Sequence, residues 1–123
     1  MKRLPFILGL GLACSHAEAA NEVIKPKGDP NDPGPKPDPN KQGTYDCMLK
    51  SMEEKQVTEP QTGKITRWGK PEKETWNGYV YWAIRLEYDL GTVFGKLEAV
   101  TRALIRNNHV HIWLYVGSDE WVP

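Results

Sequence analysis

Hydrophobic and polar positions alternate through much of the second half of the chain, and that alternation predicts strands. Val110, Ile112, Leu114 and Val116 alternate with His109, His111, Trp113 and Tyr115, a period of two that gives a strand two distinct faces. A longer run from Tyr79 to Leu90 places Val80, Trp82, Ile84, Leu86 and Tyr88 on one side, with Tyr79, Tyr81, Ala83, Arg85, Glu87 and Asp89 on the other. Tyr45, Cys47 and Leu49 alternate with Asp46, Met48 and Lys50, which predicts a further strand with Cys47 inside. Glu59-Pro60-Gln61-Thr62-Gly63 reads as a reverse turn leading into a short strand around Ile65 to Trp68. Trp76-Asn77-Gly78-Tyr79 is a hairpin signal, because Asn-Gly accepts the positive φ angles of a type I′ turn, and it sets Trp76 opposite Tyr79. The expected turn after the long strand is Asp89-Leu90-Gly91-Thr92.

The segment from Lys96 to Arg106 fits two patterns. As a helix, Leu97, Val100, Leu104 and Ile105 share one face, opposite Glu98, Arg102 and Arg106. As a strand, Leu97, Ala99, Thr101, Ala103 and Ile105 share one side, and Asn107-Asn108 becomes a two-residue turn. The strand register sets Ile105 against Val110, Ala103 against Ile112, Thr101 against Leu114 and Ala99 against Val116, so every inward position meets another. The fold expected on that agreement is mostly β, a small antiparallel meander of about six strands closing as a barrel or sandwich. The alternative is α+β, with one helix at about 96–106 packed on the sheet.

The start of the chain has a different pattern. Lys2 and Arg3 precede an apolar run from Leu4 to Ala13, and Ala17-Glu18-Ala19 supplies small residues at a cleavage position, so residues 1–19 read as a secretory signal peptide. Leu12-Ala13-Cys14 also resembles the lipobox of bacterial lipoproteins, although Gly11 stands where that pattern carries a large aliphatic. An exported chain, periplasmic or extracellular, is the expectation, with Cys14 as the residue a lipid anchor would use. Residues 20–43 hold Pro26, Pro30, Pro33, Pro35, Pro37 and Pro39 among Asp, Asn, Lys and Gly, the composition of a disordered, extended spacer. Residues 44–123 are then one small β-rich domain. With Cys14 removed, Cys47 has no partner for an internal disulfide. No other stretch is long and apolar enough to span a bilayer.

Composition narrows the chemistry. The 16 basic and 16 acidic residues balance, and losing Lys2, Arg3 and Glu18 with the leader keeps the remainder near neutrality, which disfavours nucleic acid as a partner. The sequence holds no G-x-S-x-G, no Gly-rich phosphate loop and no C-x-x-C, so we expect no enzyme and no cofactor. His109 and His111 on one strand could begin a zinc or copper site if Glu98, Asp119 or Glu120 supplied a third ligand, but Arg106 beside His109 opposes a divalent cation. The remaining candidate is a face: Tyr79, Tyr81, Arg85, Arg102, Trp113 and Tyr115 are expected to project together, and Tyr, Trp and Arg are the residues enriched where proteins bind proteins. A binding module that recognises a protein partner is therefore the expected function. A glycan stacked on the same aromatics is the alternative.

Overall fold

Both expected two-residue turns form, because Asn and Gly supply the positive φ angles they require: 51° and 80° at Asn77 and Gly78, 52° and 58° at Asn107 and Asn108. The structure is a computed structural model in which residues 25–123 are described. The leader, Cys14 and the first residues of the spacer lie outside that range. Five strands follow in chain order: β1 (Lys64–Trp68), β2 (Glu72–Trp76), β3 (Tyr79–Thr92), β4 (Gly95–Arg106) and β5 (His109–Tyr115). They form one antiparallel sheet in the order β1-β3-β4-β5, with β2 also on β3. The fold is mostly β, as expected, but the sheet is open and not closed into a barrel. Gly95–Arg106 is strand throughout, so the helical alternative for 96–106 does not form.

β1 and β2 run end to end along the same side of β3. β1 pairs with Leu86 to Asp89 and β2 with Tyr79 to Ala83, including the expected Trp76–Tyr79 pair. Between them the chain keeps a single bond to β3, from Gly69 N–H to Arg85 O at 2.8 Å. A Cβ at Gly69 would lie 3.1 Å from the Arg85 N and Cβ atoms, so the close approach of the two backbones favours glycine there.

Two segments expected as strand and turn are helical instead. Residues Asp46–Glu53 form α1 and Glu59–Thr62 a single-turn α2. The alternation of Tyr45, Cys47 and Leu49 is outweighed by Met48, Ser51 and Met52, three buried residues at helical spacing that seat α1 on the sheet. Leu49 stays largely exposed and Cys47 is half-buried with a free thiol. At the C-terminus of α1, Lys55 N–H reaches Met52 O and Gln56 N–H reaches Ser51 O, both at 3.0 Å, the bonding pattern of a Schellman motif. Its left-handed residue is Lys55, with φ of 62°. Lys55→Gly is therefore expected to raise the unfolding free energy by about 0.5–1 kcal/mol. Urea denaturation would show this as a higher midpoint with unchanged slope.

The register between β4 and β5 starts as expected, with Ile105 opposite Val110, and then shifts by one residue. Leu104 pairs with Ile112, Ala103 with Trp113 and Thr101 with Tyr115, leaving His111 as the extra residue of a β-bulge. A one-residue slip turns every later side chain to the other face. Trp113 and Tyr115 thus point toward α1 and α2, while Ile112 and Leu114 point away. A hydrogen-bond relay accompanies the bulge: Trp113 Nε1–H donates to Ser51 Oγ (2.9 Å), Ser51 O–H donates to Gln56 Oε1 (2.5 Å), and Gln56 Nε2 donates to the Val110 and His111 carbonyls (3.0 Å each). The last residues of the chain cover the rest of this edge, with Val122 N–H on Trp113 O and Tyr115 N–H on Glu120 O.

The main core lies between the helices and the sheet, where Ile84, Leu86, Tyr88, Ala103, Ile105 and Trp113 meet Met48 and Met52. A smaller cluster on the opposite face contains Tyr81, Ala83, Leu104, Ile112 and Leu114, with Trp76 and Tyr79 against it. The Pro-rich segment carries no helix or strand from residue 25 to 43, yet between Asp29 and Gly34 it is bound to the end of the sheet where β4 stops. Val80 N–H donates to Pro30 O, Asn107 N–H to Pro33 O and Trp82 Nε1–H to Gly34 O. The buried Arg106 guanidinium donates to the Asp29, Asp32 and Val80 carbonyls. Main-chain carbonyls carry these contacts, so proline, which lacks only the N–H, serves as well as any residue.

Candidate functional site

The β3–β4 ladder continues in register to the Thr92–Gly95 pair, so the hairpin ends in a two-residue loop, Val93-Phe94. The turn expected at Asp89 to Thr92 is strand, and the reversal falls after it. Thr92 braces the loop, its hydroxyl donating to Gly95 O (2.6 Å) and accepting from Phe94 N–H (3.2 Å). On that braced loop Val93 is 94% exposed and Phe94 98%, with Leu97 behind them at 56%. Leu97 stands opposite Leu90 in the ladder. Apolar residues scattered singly over a surface are ordinary, whereas adjacent ones held out at an apex form a knob that could fill a pocket.

The second feature is a groove of about 820 Å³ on the sheet face away from the helices, between the β1–β2 break and the loop after β5. Arg102 is at its floor and only 8% exposed. Its Nε donates to both Glu74 carboxylate oxygens (2.8 and 3.0 Å), Nη2 to Glu74 Oε2 (2.7 Å) and Asp119 Oδ1 (2.8 Å), and Nη1 to Tyr115 O (3.0 Å). The hydrogen bonds it donates to Glu74 hold its pKa above the ordinary value against the opposing effect of burial. Arg102 therefore joins β2, β4 and the C-terminal loop as a structural clamp.

The six residues expected on one face are divided by the bulge. Tyr79, Tyr81, Arg85 and Arg102 lie on the face away from the helices, and Trp113 and Tyr115 lie beneath α1 and α2. Tyr81 is fully buried under Trp76 and His111 and beside Arg106. Its hydroxyl has no hydrogen-bond partner among the described residues. Trp113 is core at 2% exposure, so neither it nor Tyr81 offers a ring face to a stacked sugar. Tyr79 is half-buried, its ring under the Arg106 guanidinium, and Arg85 alone of the six is exposed. His109 is exposed opposite Arg106, and His111 stacks on Tyr81 at 5.6 Å between ring centroids. Among the described residues no three His, Cys, Asp or Glu side chains gather as a metal site.

Tyr88 and Tyr115 both donate to Glu59 Oε1, at 2.7 and 2.6 Å, tying α2 to the sheet. Burial, then the bond to the Glu59 carboxylate, pushes the Tyr115 phenol up to about 12 and raises that of Tyr88 as well. Burial likewise pushes Tyr81 up to about 12. An unfolded phenol loses its proton near pH 10, so between pH 10 and about 12 the unfolded chain binds fewer protons than the folded one. Stability is thus fully present below pH 10 and falls as the pH rises from there toward about 12. Urea midpoints at pH 8, 10 and 11.5 should show a loss confined to the upper interval. A flat profile would mean that these phenols ionise freely in the folded protein.

Sequence reasoning missed the hairpin tip. Its signal is the apolar pair Val93-Phe94, which directly follows the turn expected at Asp89 to Thr92. Comparison with protein-family models, curated proteins and solved structures found no match to this chain.

Proposed function

We propose that the chain is an exported, non-enzymatic interaction module whose β3–β4 hairpin tip enters an apolar pocket on a protein partner. The observation that carries this reading is the near-complete exposure of Val93 and Phe94 on a braced loop. A buried Phe covers about 150–250 Å² and acts as an interface anchor. Bracing by Thr92 lowers the conformational entropy that docking would cost. Leu90 and Leu97 extend the apolar surface behind the tip, which a pocket one residue deep would not require. The leader supports an envelope or extracellular setting, and the near-neutral charge supports a protein partner over nucleic acid.

The test is a double variant, Val93→Ser with Phe94→Ser. Both side chains are in solvent, so its unfolding free energy should stay within about 0.5 kcal/mol of the parent. The parent should capture a partner from the source cell's envelope that the variant does not, and the purified partner should rebind only the parent. Equal capture by both would remove the tip as the contact.

A further inference from the structure

We infer that the groove over β3 holds an oxyanion, a carboxylate or phosphate group, on Arg85 and Lys70. Three of the acids in the groove already have partners. Glu74 and Asp119 are bound to Arg102, and Glu87 lies 4.0 Å from Arg67. Among the described residues the Arg85 and Lys70 side chains make no hydrogen bond or ion pair, and Glu72 is the one acid in the groove left without a partner.

The sheet register sharpens this. Arg85 stands directly opposite Arg102 across the β3–β4 ladder, and like charges at opposed positions repel. Arg102 cannot swing away, because its guanidinium is fixed by Glu74, Asp119 and the Tyr115 carbonyl. Glu74 and Asp119 are turned toward Arg102 and Glu87 toward Arg67, so Glu72 is the one groove acid left to offset the charges of Arg85 and Lys70, and one carboxylate does not neutralise two cations. Its planar fork suits two oxygens of one carboxylate or phosphate. Lys70, at the β1–β2 break beside the Gly69–Arg85 bond, brings a second cation to the same part of the groove. This site lies on the sheet face and involves no residue of the hairpin tip.

Heteronuclear NMR on the full chain tests the inference, titrating sodium phosphate in one arm and sodium succinate in the other, with sodium chloride holding ionic strength constant. The Arg85 Nε–H and the Gly69 and Lys70 amides should shift saturably in at least one arm, with a millimolar Kd. Arg85→Gln should weaken that binding at least about ten-fold while leaving the rest of the spectrum in place. Tighter phosphate binding would identify a phosphate-bearing ligand, and tighter succinate binding a carboxylate-bearing one. Linear drift without saturation in both arms, or an unchanged Kd in Arg85→Gln, would overturn the inference. The Val93→Ser, Phe94→Ser variant should bind the anion as the parent does, so the two sites fail or stand separately.

Discussion

Replacing Trp113 by Ala is expected to lower the unfolding free energy by about 3–5 kcal/mol, the usual cost of deleting a buried large aromatic. Trp113 is 2% exposed in the main core, and its Nε1–H starts the relay through Ser51 and Gln56 to the carbonyls of the bulge. For a domain of this size the loss is a large part of the total stability, and a fall in Tm of at least about 12 °C should accompany it. Trp113→Phe keeps most of the apolar area and loses the indole donor, so about 1–2 kcal/mol is expected. Chemical denaturation of the three proteins gives the comparison. A small loss for Trp113→Ala, under about 1 kcal/mol, would mean that Trp113 is on the surface and that the bulge is absent.

Arg102→Ala should cost about 2–3 kcal/mol. Removing one member of a buried ionic cluster leaves its partners uncompensated, at about 3–5 kcal/mol when all are fully buried. The figure is lower here because the Glu74 and Asp119 side chains are 29% and 55% exposed and can recover water. Arg102→Lys should recover only part of the loss, since a single ammonium cannot serve Glu74 from Nε and Nη2 and also reach Asp119 and the Tyr115 carbonyl. Chemical shifts of Asp119 to Trp121 should move in both variants as the loop loses its anchor. A loss below about 0.5 kcal/mol, the level of an ordinary surface residue, would count against a clamp role.

What could be read in the chain depended on how local each signal was. The Asn77-Gly78 and Asn107-Asn108 turns and the alternation of β3 depend on a few adjacent residues, and they appear where expected. The strand from 95 to 106 was expected from a register with β5, and it forms although only the Ile105–Val110 pair of that register is present. The bulge was not legible, because β5 is apolar or aromatic on both sides. Ile112 and Leu114, or Trp113 and Tyr115, would each fill a core, and the choice accompanies a donor–acceptor match between Trp113 and Ser51, 62 residues apart. The same shift divided the expected binding face, whose composition was interface-like while much of it is interior.

The spacer posed a different problem. Its composition implied a disordered, extended spacer, and the Arg106 contacts are to carbonyl oxygens, which every residue has, so no side chain in Asp29 to Gly34 advertises them. For α1, a three-residue alternation concealed a helical one resting on Met48, Ser51 and Met52. The tip was hidden for the opposite reason. Apolar residues in a turn are usually assigned to a core, and only the length of the β3–β4 ladder carries Val93 and Phe94 beyond the helices and the rest of the sheet.

A photo-crosslinking residue placed at position 94 in the full chain, with matched probes at Leu49 and Trp121, tests the proposed contact most directly. Those two residues are 41% and 47% exposed and lie on other parts of the surface. Irradiation of the living source cell should give a discrete protein adduct from position 94 that is absent from the other two. No adduct at 94, or the same adduct from all three positions, would contradict a partner held at the hairpin tip.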